Sequence, residues 1–593
     1  MAALRSVRRL PPPSIFAVEF GREGGKERIM SINGALNIGH SAIQVSQAAL
    51  QIAGNNLANA STPGYHRQIA RISPARPEYI GRAGFVGTGV SVTSISRAVD
   101  SALQARLRSA ISQENSAAID QRFLNSIETI RNELTDQDLS SRLGAFFNSF
   151  SELSNNPNDE AVRTVVIQQA SGLATSIRQL RNEHVVVREE IDRALDATVD
   201  QANGLLDQIA GLNAQIVNIE QGSGSSANSL RDRRDQLVDE LSEFIDCHQV
   251  EQANGSVDIL VGSIPIVLAG GSRGLELRAD ASGGTLDLSL RVRADGTFLA
   301  PEEGQLGALF RQRTETVAPA IAELDNLAGQ LAYQVNRVHS QGQGRIGWTS
   351  VVGMQSVADP NANLGADAAE IPFAIKNGSF ELSVRDNQSG LRTTVLIAVD
   401  PQTMTLTELA AAINAAVPAG TASATVTTDG RLQMDAGSGY TMHFSNDSSG
   451  ALASLGINAL FGGSDAASIE VNEAILGNPQ LLAAGSNHID GSNGTALAIA
   501  ALQDVSIAEL GSRTLRGYWQ SATTALAVRT DASNTKAETA RVVREGLDGQ
   551  AQALSGVSID EESINLLMFQ RQYQAAAKYI SIIDETLKTL LAI

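Results

Sequence analysis

The two ends of this chain repeat apolar residues at the heptad spacing of paired helices, and this constrains the fold more than any other feature. Near the start, an aliphatic residue recurs every seven positions, at Leu36, Ile43, Leu50 and Leu57. Small residues stand between them, at Gly39, Ser46, Ala53 and Ala60. Alternating large and small positions suit helices that approach one another closely. An ordinary amphipathic helix on a globular core is the alternative interpretation.

The C-terminal segment carries a second seam, with apolar residues alternately three and four positions apart. Its members are Leu566, Phe569, Tyr573, Ala576, Ile580, Ile583, Leu587 and Leu590. Ser558 and Glu561 match a capping box at its start, and Asp560, Glu561 and Glu562 complement the positive end of a helix dipole. The unbroken seam favours a coiled coil over a terminal helix docked on its own domain.

Two seams at opposite ends predict that the terminal helices pair with each other. Two isolated helices of this kind are marginally stable in water. We therefore expect both ends to be disordered in the single chain and to become ordered when copies assemble. A long apolar surface is typical of a polymerisation interface, so we predict that the large residues of both seams mediate self-assembly.

The stretch IAGNNLANASTPGYHRQ, residues 52–68, ends the first seam with three asparagines and a rigid corner. The sequence Thr62-Pro63-Gly64-Tyr65 places proline and glycine at the central positions of a type II turn. Side-chain amides compete with the helix for its backbone groups. We predict that Asn55, Asn56 and Asn59 satisfy carbonyls at the helix end, and that the corner turns the chain outward.

Between its ends the chain predicts a mainly α fold with inserted β and α+β segments. Residues 31–95 and 551–593 form the terminal coiled-coil and turn region of this prediction. Helical spacing over 96–248, 304–345 and 485–550 predicts an intermediate helical domain containing a long bundle. A period of two over 249–303 predicts a β segment, and 346–484 predicts an inserted α+β outer domain.

Two dipeptides within the predicted outer domain have the composition of tight hairpin turns. These are Asn377-Gly378 and Asp429-Gly430, each next to strand-like sequence. Such pairs favour the turn types that match the twist of antiparallel strands. We predict a hairpin at each position.

The first 29 residues differ in character from the rest of the chain. Three consecutive prolines follow basic residues, and no long apolar segment precedes a small-residue cleavage site, so a cleaved signal peptide fits poorly. Lys26-Glu27 can be encoded as a ribosome-binding sequence just upstream of Met30. We expect residues 1–29 to be a non-native extension and translation to start at Met30.

Composition excludes several classes of partner. The net charge of −19 argues against nonspecific binding to nucleic acid and to anionic membranes. No run approaches the roughly 18 apolar residues of a membrane span. Cys247 is the single cysteine, so an intramolecular disulfide is impossible and packing must stabilise the fold.

No pattern of catalytic or ligating residues stands out. The histidines are scattered, at His40, His66, His184, His248, His339, His443 and His488. Cys247-His248 lacks further ligands, and the glycine-rich stretches lack a following Lys-Ser/Thr. The charged stretch LRDRRDQLVDELSE, residues 230–243, is most simply a solvated helix face. We predict no catalytic, cofactor-binding or metal-binding residues, and no enzyme activity.

Both ends resemble one known family. SQAALQIAGNNLANASTPGYHRQ is similar to the N-terminal signature of flagellar rod, hook and hook-associated proteins, with Asn56-Leu57-Ala58-Asn59 followed by Thr62, Gly64 and Tyr65. The C-terminal stretches GVSIDEE and FQRQYQAAAKYI resemble the matching C-terminal signature. The length, with LRDRRDQLVDELSE and GSNGTALAIAALQ, resembles the family's hook-associated member at the hook–filament junction.

The resemblance implies an architecture and a role. Such axial proteins place both terminal helices in an inner coiled-coil tube around the export channel, with an intermediate helical domain and outer domains around it. The implied role is structural: polymerising between hook and filament and adapting one to the other. The implied partners are copies of the chain, the hook protein, a second junction protein, the filament, and a cytoplasmic export chaperone at the C-terminal helix. The implied location is extracellular, reached by flagellar type III export without a cleaved signal.

Two other interpretations stay open on the sequence alone. One is a hook-type axial subunit with enlarged outer domains. The other is an unrelated self-assembling coiled-coil protein, such as a phage or surface-layer component. A strain lacking the protein discriminates between them, because hooks without filaments, missing hooks and normal flagella are different outcomes.

Overall fold

The structure, a computed structural model, describes residues 32–79, 84–131, 138–223, 225–282 and 285–592. The expected extension over 1–29 and the proposed start at Met30 lie outside these ranges. None of the helices described combines the length and apolarity of a membrane-spanning segment. The chain divides into two compact units. The terminal unit contains residues up to 99, 219–232 and 553 onward, and the central unit contains 100–218 and 233–552.

The terminal unit is built on the two predicted end helices. Helix α1 (Ile32–Ala58) packs along helix α13 (Ile559–Leu591), so the predicted pairing of the ends is confirmed. Strand β1 (Gln68–Pro74) pairs antiparallel with β4 (Val90–Arg97), and its register shifts between Arg71 and Ile72. The short strands β2 (Glu78–Tyr79) and β3 (Phe85–Val86) form a second pair.

Helices of 8 to 64 residues form much of the rest of the chain. They are α2 (Ser101–Arg131), α3 (Leu139–Asn155), α4 (Glu160–Ser223), α5 (Asn228–Phe244), α6 (Gly304–Arg311), α7 (Ala318–His339), α11 (Gly494–Ala501) and α12 (Leu515–Ser555). A π-helical segment, Gln312–Val317, joins α6 to α7. The side chain of Asp138 caps α3 by accepting a hydrogen bond from the Ser141 amide.

The predicted β segment of the central unit consists of two small antiparallel sheets. The first contains β5 (His248–Glu251), β6 (Val257–Val261), β7 (Ile264–Leu268) and β8 (Gly271–Ser272). The second contains β9 (Leu275–Ser282), β10 (Thr285–Val292) and β11 (Phe298–Leu299), with β10 in the middle.

The predicted outer domain contains three sheets and short helices. The strands are β12 (Ser350–Val352), β13 (Gly378–Asp386), β14 (Arg392–Val399), β15 (Ala422–Val426), β16 (Leu432–Ala436), β17 (Tyr440–Ser445), β18 (Phe461–Gly462) and β19 (Glu470–Val471). The α-helices are α8 (Leu406–Ala416), α9 (Ala451–Leu455) and α10 (Glu473–Gly477). Short 3-10 helices occur at Asp367–Ala369, Pro479–Leu481, Leu502–Asp504 and Ala508–Leu510.

One of the two predicted hairpins is correct. Strands β15 and β16 pair across Asp429-Gly430, and Gly430 has a φ of 75°. The hairpin across Asn377-Gly378 is wrong, because β13 begins at Gly378 and pairs with β14 and β17 instead. The preceding segment is held outside the sheet, where the Lys376 amide donates to the Ser449 carbonyl.

Two hydrophobic cores stabilise the central unit. One joins α3, the first half of α4 and α7 to the inserted domain, and includes both tryptophans, Trp348 and Trp519. The other joins α2, the second half of α4, α5 and α6 to the sheets of the β segment. The predicted class, mainly α with β and α+β insertions, is confirmed. The finer division into domains by residue range stays a prediction.

Candidate functional site: the junction of the two chain ends

Small residues of α1 line its contact with α13. Gly39, Ser46 and Ala53 are all buried, as is Ala49 between them. A methyl group at Gly39 would lie 2.6 Å from Cγ1 of Ile580, so the two helices meet at van der Waals distance there. The buried small positions of the predicted heptad thus lie on the inner side of α1, with the closest approach to α13 at Gly39, whereas Ala60 lies beyond the end of α1 and is only partly buried.

The large residues of the N-terminal seam lie beside this contact. Leu36, Ile43, Leu50 and Leu57 are each only partly buried. On α13, Ile583 is buried and the others are partly buried, namely Leu566, Phe569, Tyr573, Ile580 and Leu587. The side chain of Leu590 lies outside the described part of the chain. The predicted self-assembly role of these residues stays a prediction. Disorder of the ends in a single chain is also untested, but the pairing of α1 with α13 within one chain argues against it, and the experiments below assume ordered ends.

A second apolar stripe runs along α13, away from the partly buried seam. Its members are Ile564, Leu567, Met568 and Ile582, which are exposed by 66, 56, 44 and 49% respectively, whereas Tyr579, exposed by 41%, borders Gly39 of α1. The predicted seam did not include any of them. The chain therefore uses one face of α13 internally and presents another apolar face outward.

The predicted turn after α1 is confirmed. The Tyr65 amide donates to the Thr62 carbonyl at 3.2 Å, and Gly64 has a φ of 70°, which the third position of a type II turn requires. Asn59 satisfies the helix end as predicted, since its Nδ2 donates to the Asn55 carbonyl at 2.9 Å. Pro63 fixes the backbone of this turn between Thr62 and Gly64.

Asn56 has a different role from the predicted one. Its amide leaves the helix and makes four hydrogen bonds: Nδ2 donates to the Gln68 carbonyl and to Glu562 Oε2, and Oδ1 accepts from the Gln68 amide and the Tyr65 hydroxyl. The side chain is 1% exposed. Prediction of a helix-capping role for Asn56 is therefore wrong, because tertiary partners take all of its bonding capacity.

Glu562 anchors the C-terminal side of the same cluster. Arg67 Nε lies 2.7 Å from Glu562 Oε1, and the Glu562 side chain is 3% exposed. Arg67 also reaches Glu561 at 3.2 Å and donates its amide to the Ser555 carbonyl at 2.9 Å. We call Asn56, Tyr65, Arg67, Gln68 and Glu562 the end-to-end cluster, because it joins the two ends of the chain.

The start of α13 confirms half of the predicted capping box. Ser558 accepts a hydrogen bond from the Glu561 amide and caps the helix. The Glu561 carboxylate pairs with Arg67 across the cluster. Glu562 has a further role that helix-start electrostatics did not predict, as the buried acceptor of the cluster.

Asp232 is a second buried carboxylate of the terminal unit. Its Oδ1 lies 2.7 Å from His66 Nδ1 and 2.8 Å from Arg97. Nearby, the Asn228 side chain donates to the Ile95 carbonyl at 3.1 Å. The residues following the turn are thus held by the first turns of α5.

The prediction of a solvated face for residues 230–243 is wrong in this part of α5. Asp232, Arg234 and Asp235 are 6, 1 and 2% exposed. Within the central unit, Arg234 donates to Asn213 Oδ1 and to the Gly255 carbonyl. Alternating charges on a helix do not distinguish solvated residues from buried, paired ones, so no signal in the sequence singled these out.

The electrostatics of the cluster keep the Tyr65 hydroxyl protonated. Burial raises the pKa of Tyr65 to about 12, and the negative charges of Asp232 and Glu562 add to this effect. The hydroxyl therefore remains a donor, 2.8 Å from Asn56 Oδ1. Such an arrangement of filled hydrogen bonds and ion pairs fixes the geometry of the chain ends. Across the described residues, no group of three or more His, Cys, Asp or Glu side chains is placed to hold a metal ion.

Comparisons with known proteins match these same segments. Residues 124–349 match the family described as flagellar hook-associated protein FlgK helical domain. Residues 36–66 match the family of flagella basal body rod proteins, and 550–593 match the C-terminal family of flagellar basal body rod FlgEFG proteins. The two rod-protein matches thus contain the paired helices and the residues of the turn.

Relatives of the chain share one name. The chain is 26% identical to flagellar hook-associated protein 1 of Escherichia coli (strain K12), over 94% of this chain and 99% of that protein. It is 31% identical to the Bacillus subtilis (strain 168) protein of the same name, over 52% of this chain and 67% of that protein. A solved structure, the flagellar hook junction protein FlgK from Burkholderia pseudomallei, has the same fold, with a TM-score of 0.51 at 16% identity over 76% of this chain and all of that one.

Two end helices that pair with each other, a signature turn after the first of them, and helical and β domains inserted between them define an axial protein of the bacterial flagellum. Within that class, the helical domain and the whole-length relatives are decisive. The chain belongs to the flagellar hook-associated protein 1 family, and it is a structural protein of the flagellar hook–filament junction.

Proposed function

We propose that copies of this chain polymerise between the hook and the filament and adapt one structure to the other. The paired helices α1 and α13 form an inner tube, the helical domain surrounds that tube, and the inserted domain of residues 346–484 projects outward. The predicted division by residue range belongs to this proposal. Its partners are further copies, the hook protein, a second junction protein and, through it, the filament.

One observation carries the proposal: the two chain ends form a single paired element, fixed at one end by the end-to-end cluster. A subunit of a tube must present the same surface in every copy, so its helices need a defined register. Close contact of Gly39 with Ile580 and the bond from Asn56 to Glu562 set that register at two separate points. The exposed stripe of α13 is then available to neighbouring subunits.

Export forms the second part of the proposal. The chain leaves the cell unfolded through the flagellar type III apparatus, without a cleaved signal peptide, and assembles outside. A cytoplasmic chaperone covers the C-terminal helix before export. The long apolar content of α13 supports this, because an unpaired helix with two apolar faces is an aggregation hazard.

A structural role without catalysis completes the proposal. The reactive residues of the sequence have structural environments that support it. Burial raises the pKa of the Cys247 thiol to about 11, so that it is protonated at neutral pH and a poor nucleophile. His339 is buried, with Nδ1 2.8 Å from the Asn458 carbonyl and Nε2 accepting from the Ala483 amide.

Electron microscopy of a strain lacking this protein tests the proposal. We expect hooks without filaments and filament protein lost to the medium. Missing hooks would instead indicate a hook-type subunit, and normal flagella would contradict the proposal. Restoring the wild-type chain should restore filaments, which controls for effects on neighbouring genes.

A further inference from the structure

Four arginines line one cavity of the central unit, and two of them already have partners: Arg163 donates to the Pro157 and Leu482 carbonyls, and Arg345 donates to the Asn158 carbonyl. The cavity has a volume of about 320 Å³, and its lining includes Arg163, Arg345, Arg385 and Arg392. Asp490 is the single carboxylate residue among the described residues of its lining. The chain as a whole carries a net charge of −19, so this positive cluster is a local feature and not a general basic character.

Two of these arginines repel each other across a pair of strands. Arg385 on β13 and Arg392 on β14 are directly opposite in the antiparallel register. Like charges at such positions destabilise a sheet. Within the described part of the chain, neither guanidinium forms a hydrogen bond or an ion pair at contact distance, although the charge of Asp490 favours the charged form of Arg392. A fold that gains nothing from this pair would be more stable with a neutral residue at either position.

Buried polar atoms without partners face the same cavity. They are Arg392 Nε, His488 Nδ1 and Gln343 Nε2, none of which has a hydrogen-bond partner among the described residues. Gln343 is 7% exposed, and its Oε1 accepts from the His488 amide at 2.6 Å. A buried donor without an acceptor costs free energy, and Arg392 Nε and Gln343 Nε2 can only donate, so these two groups are arranged to meet an acceptor from outside the chain.

Two histidines complete the lining. His443 lies on β17, and its ring centroid is 5.8 Å from that of His488. Burial lowers the pKa of His443 to about 4, and His488, Arg392 and Arg385 add to this effect. Burial also lowers the pKa of His488, with Arg392 opposing and Glu381 favouring its protonated form. Both rings are therefore neutral at neutral pH, and a negative charge in the cavity would favour their protonation.

We propose that this cavity binds a tetrahedral oxyanion of the phosphate type, either free or as a substituent of a sugar. Guanidinium groups form paired hydrogen bonds to such oxygens. Several arginines together also balance the charge of a phosphate dianion better than that of a singly charged carboxylate ligand. The volume exceeds that of the ion itself and leaves room for a sugar ring. The inserted domain thus has a binding site in addition to its structural role.

Thermal unfolding of the full chain tests the proposal. Inorganic phosphate should raise the melting temperature by about 2 °C relative to sodium chloride at matched ionic strength. Arg392→Gln should weaken the response about tenfold while melting at or above the wild-type temperature without phosphate, because the repulsion from Arg385 is removed. If Arg392 were purely structural, its replacement by glutamine would instead lower the melting temperature without phosphate. Arg431→Gln is the matched control, since Arg431 of the same inserted domain pairs with Asp429 at its surface.

Further ligands and a spectroscopic measurement complete the test. Glucose 6-phosphate that binds as well as inorganic phosphate indicates a sugar-borne group, and selective binding of inorganic phosphate indicates the free ion. Acetate that binds as tightly as phosphate overturns the proposal. Histidine ring signals of the unmodified chain should shift for His443 and His488 on phosphate addition, and not for exposed His248. Unshifted His443 and His488 signals, or an unchanged phosphate response in Arg392→Gln, would also overturn it.

Discussion

Glu562, in the first turn of the last helix, accepts a hydrogen bond from Asn56, near the end of the first helix, across 506 residues of sequence. Both side chains are buried, and Arg67 compensates the carboxylate charge at 2.7 Å. A buried carboxylate is tolerated only when it is paired and hydrogen-bonded. The N-terminal end thus supplies the hydrogen-bond donor and the positive charge that the buried carboxylate of the C-terminal end requires.

Asn56→Asp should disrupt the end-to-end cluster. An aspartate at this position can still accept from the Gln68 amide, but it cannot donate to the Gln68 carbonyl or to Glu562. It also places a second carboxylate about 3 Å from Glu562, where Asn56 Nδ2 lies at 3.3 Å. We expect the terminal unit to lose about 2–4 kcal/mol of stability. Hydrogen exchange of segments 36–68 and 556–589 measures this loss.

Asn55→Asp is the matched control for that variant. Asn55 is the neighbouring amide, and its side chain is exposed. We expect little change in exchange protection at neutral pH. Lowering the pH to about 5 should partly restore exchange protection in Asn56→Asp, because one of two carboxylates that share a site takes up a proton more readily than an isolated carboxylate. Equal protection in the two variants would contradict a central role for Asn56.

Gly39→Ala should separate the paired helices. The added methyl group would lie 2.6 Å from Cγ1 of Ile580, so one helix must move or Ile580 must change rotamer. Overpacking of this kind costs about 1–3 kcal/mol. Gly54→Ala in the same helix is the control, because a methyl group there meets no atom within 4 Å. The control should be neutral or slightly stabilising, since alanine is the better helix former. Filament assembly in complemented cells and exchange protection of α13 report the difference.

Ile580→Asp and Ile582→Asp should affect different interfaces. Ile580 contacts Gly39 within the chain, whereas Ile582 is 49% exposed on the outer stripe of α13. We expect Ile580→Asp to reduce exchange protection of both terminal helices in the single chain, because it buries a charge. Ile582→Asp should leave that protection unchanged and reduce polymer formation. Loss of intrachain protection in Ile582→Asp would show that the stripe has an internal role.

The sequence predicted the parts of the site that depend on residues close together in the sequence. Heptad spacing indicated α1 and α13, and the order Thr62-Pro63-Gly64-Tyr65 indicated a turn whose geometry is confirmed. The turn reflects local backbone preferences, and the heptad reflects the period of a helix. Both can be read from consecutive residues of the sequence. The Asp429-Gly430 hairpin was predictable for the same reason.

The sequence did not predict contacts between distant segments. His66 and Asp232 are 166 residues apart, and nothing in the charged stretch around Asp232 marks it as buried. The Asn377-Gly378 hairpin failed because a dipeptide signal requires a strand on both sides, and the only strand here follows it. A helix-start charge explains Glu562 locally, so the sequence contains no sign of its burial beside Arg67.

His339 should make the central unit sensitive to acid. The side chain is fully buried, and burial lowers its pKa to about 4 from the ordinary value of 6.5. Between these two pH values the unfolded chain binds a proton at this residue and the folded chain does not. Its contribution to stability is therefore fully present above pH 6.5 and is lost as the pH falls, at about 1.4 kcal/mol per pH unit.

His339→Gln tests this contribution. We expect the variant to be less stable at pH 7, because the flexible glutamine side chain does not hold its donor and acceptor at the positions of Nδ1 and Nε2, which bond the Asn458 carbonyl and the Ala483 amide. Its stability should fall less steeply than that of the wild type between pH 6 and 5, by about 1.4 kcal/mol per unit. Urea unfolding followed by tryptophan fluorescence measures this, since Trp348 donates to Asn458 in the same network. His248→Gln, at an exposed residue, should retain the wild-type slope. Parallel slopes for the wild type and His339→Gln would show that His339 does not titrate on unfolding.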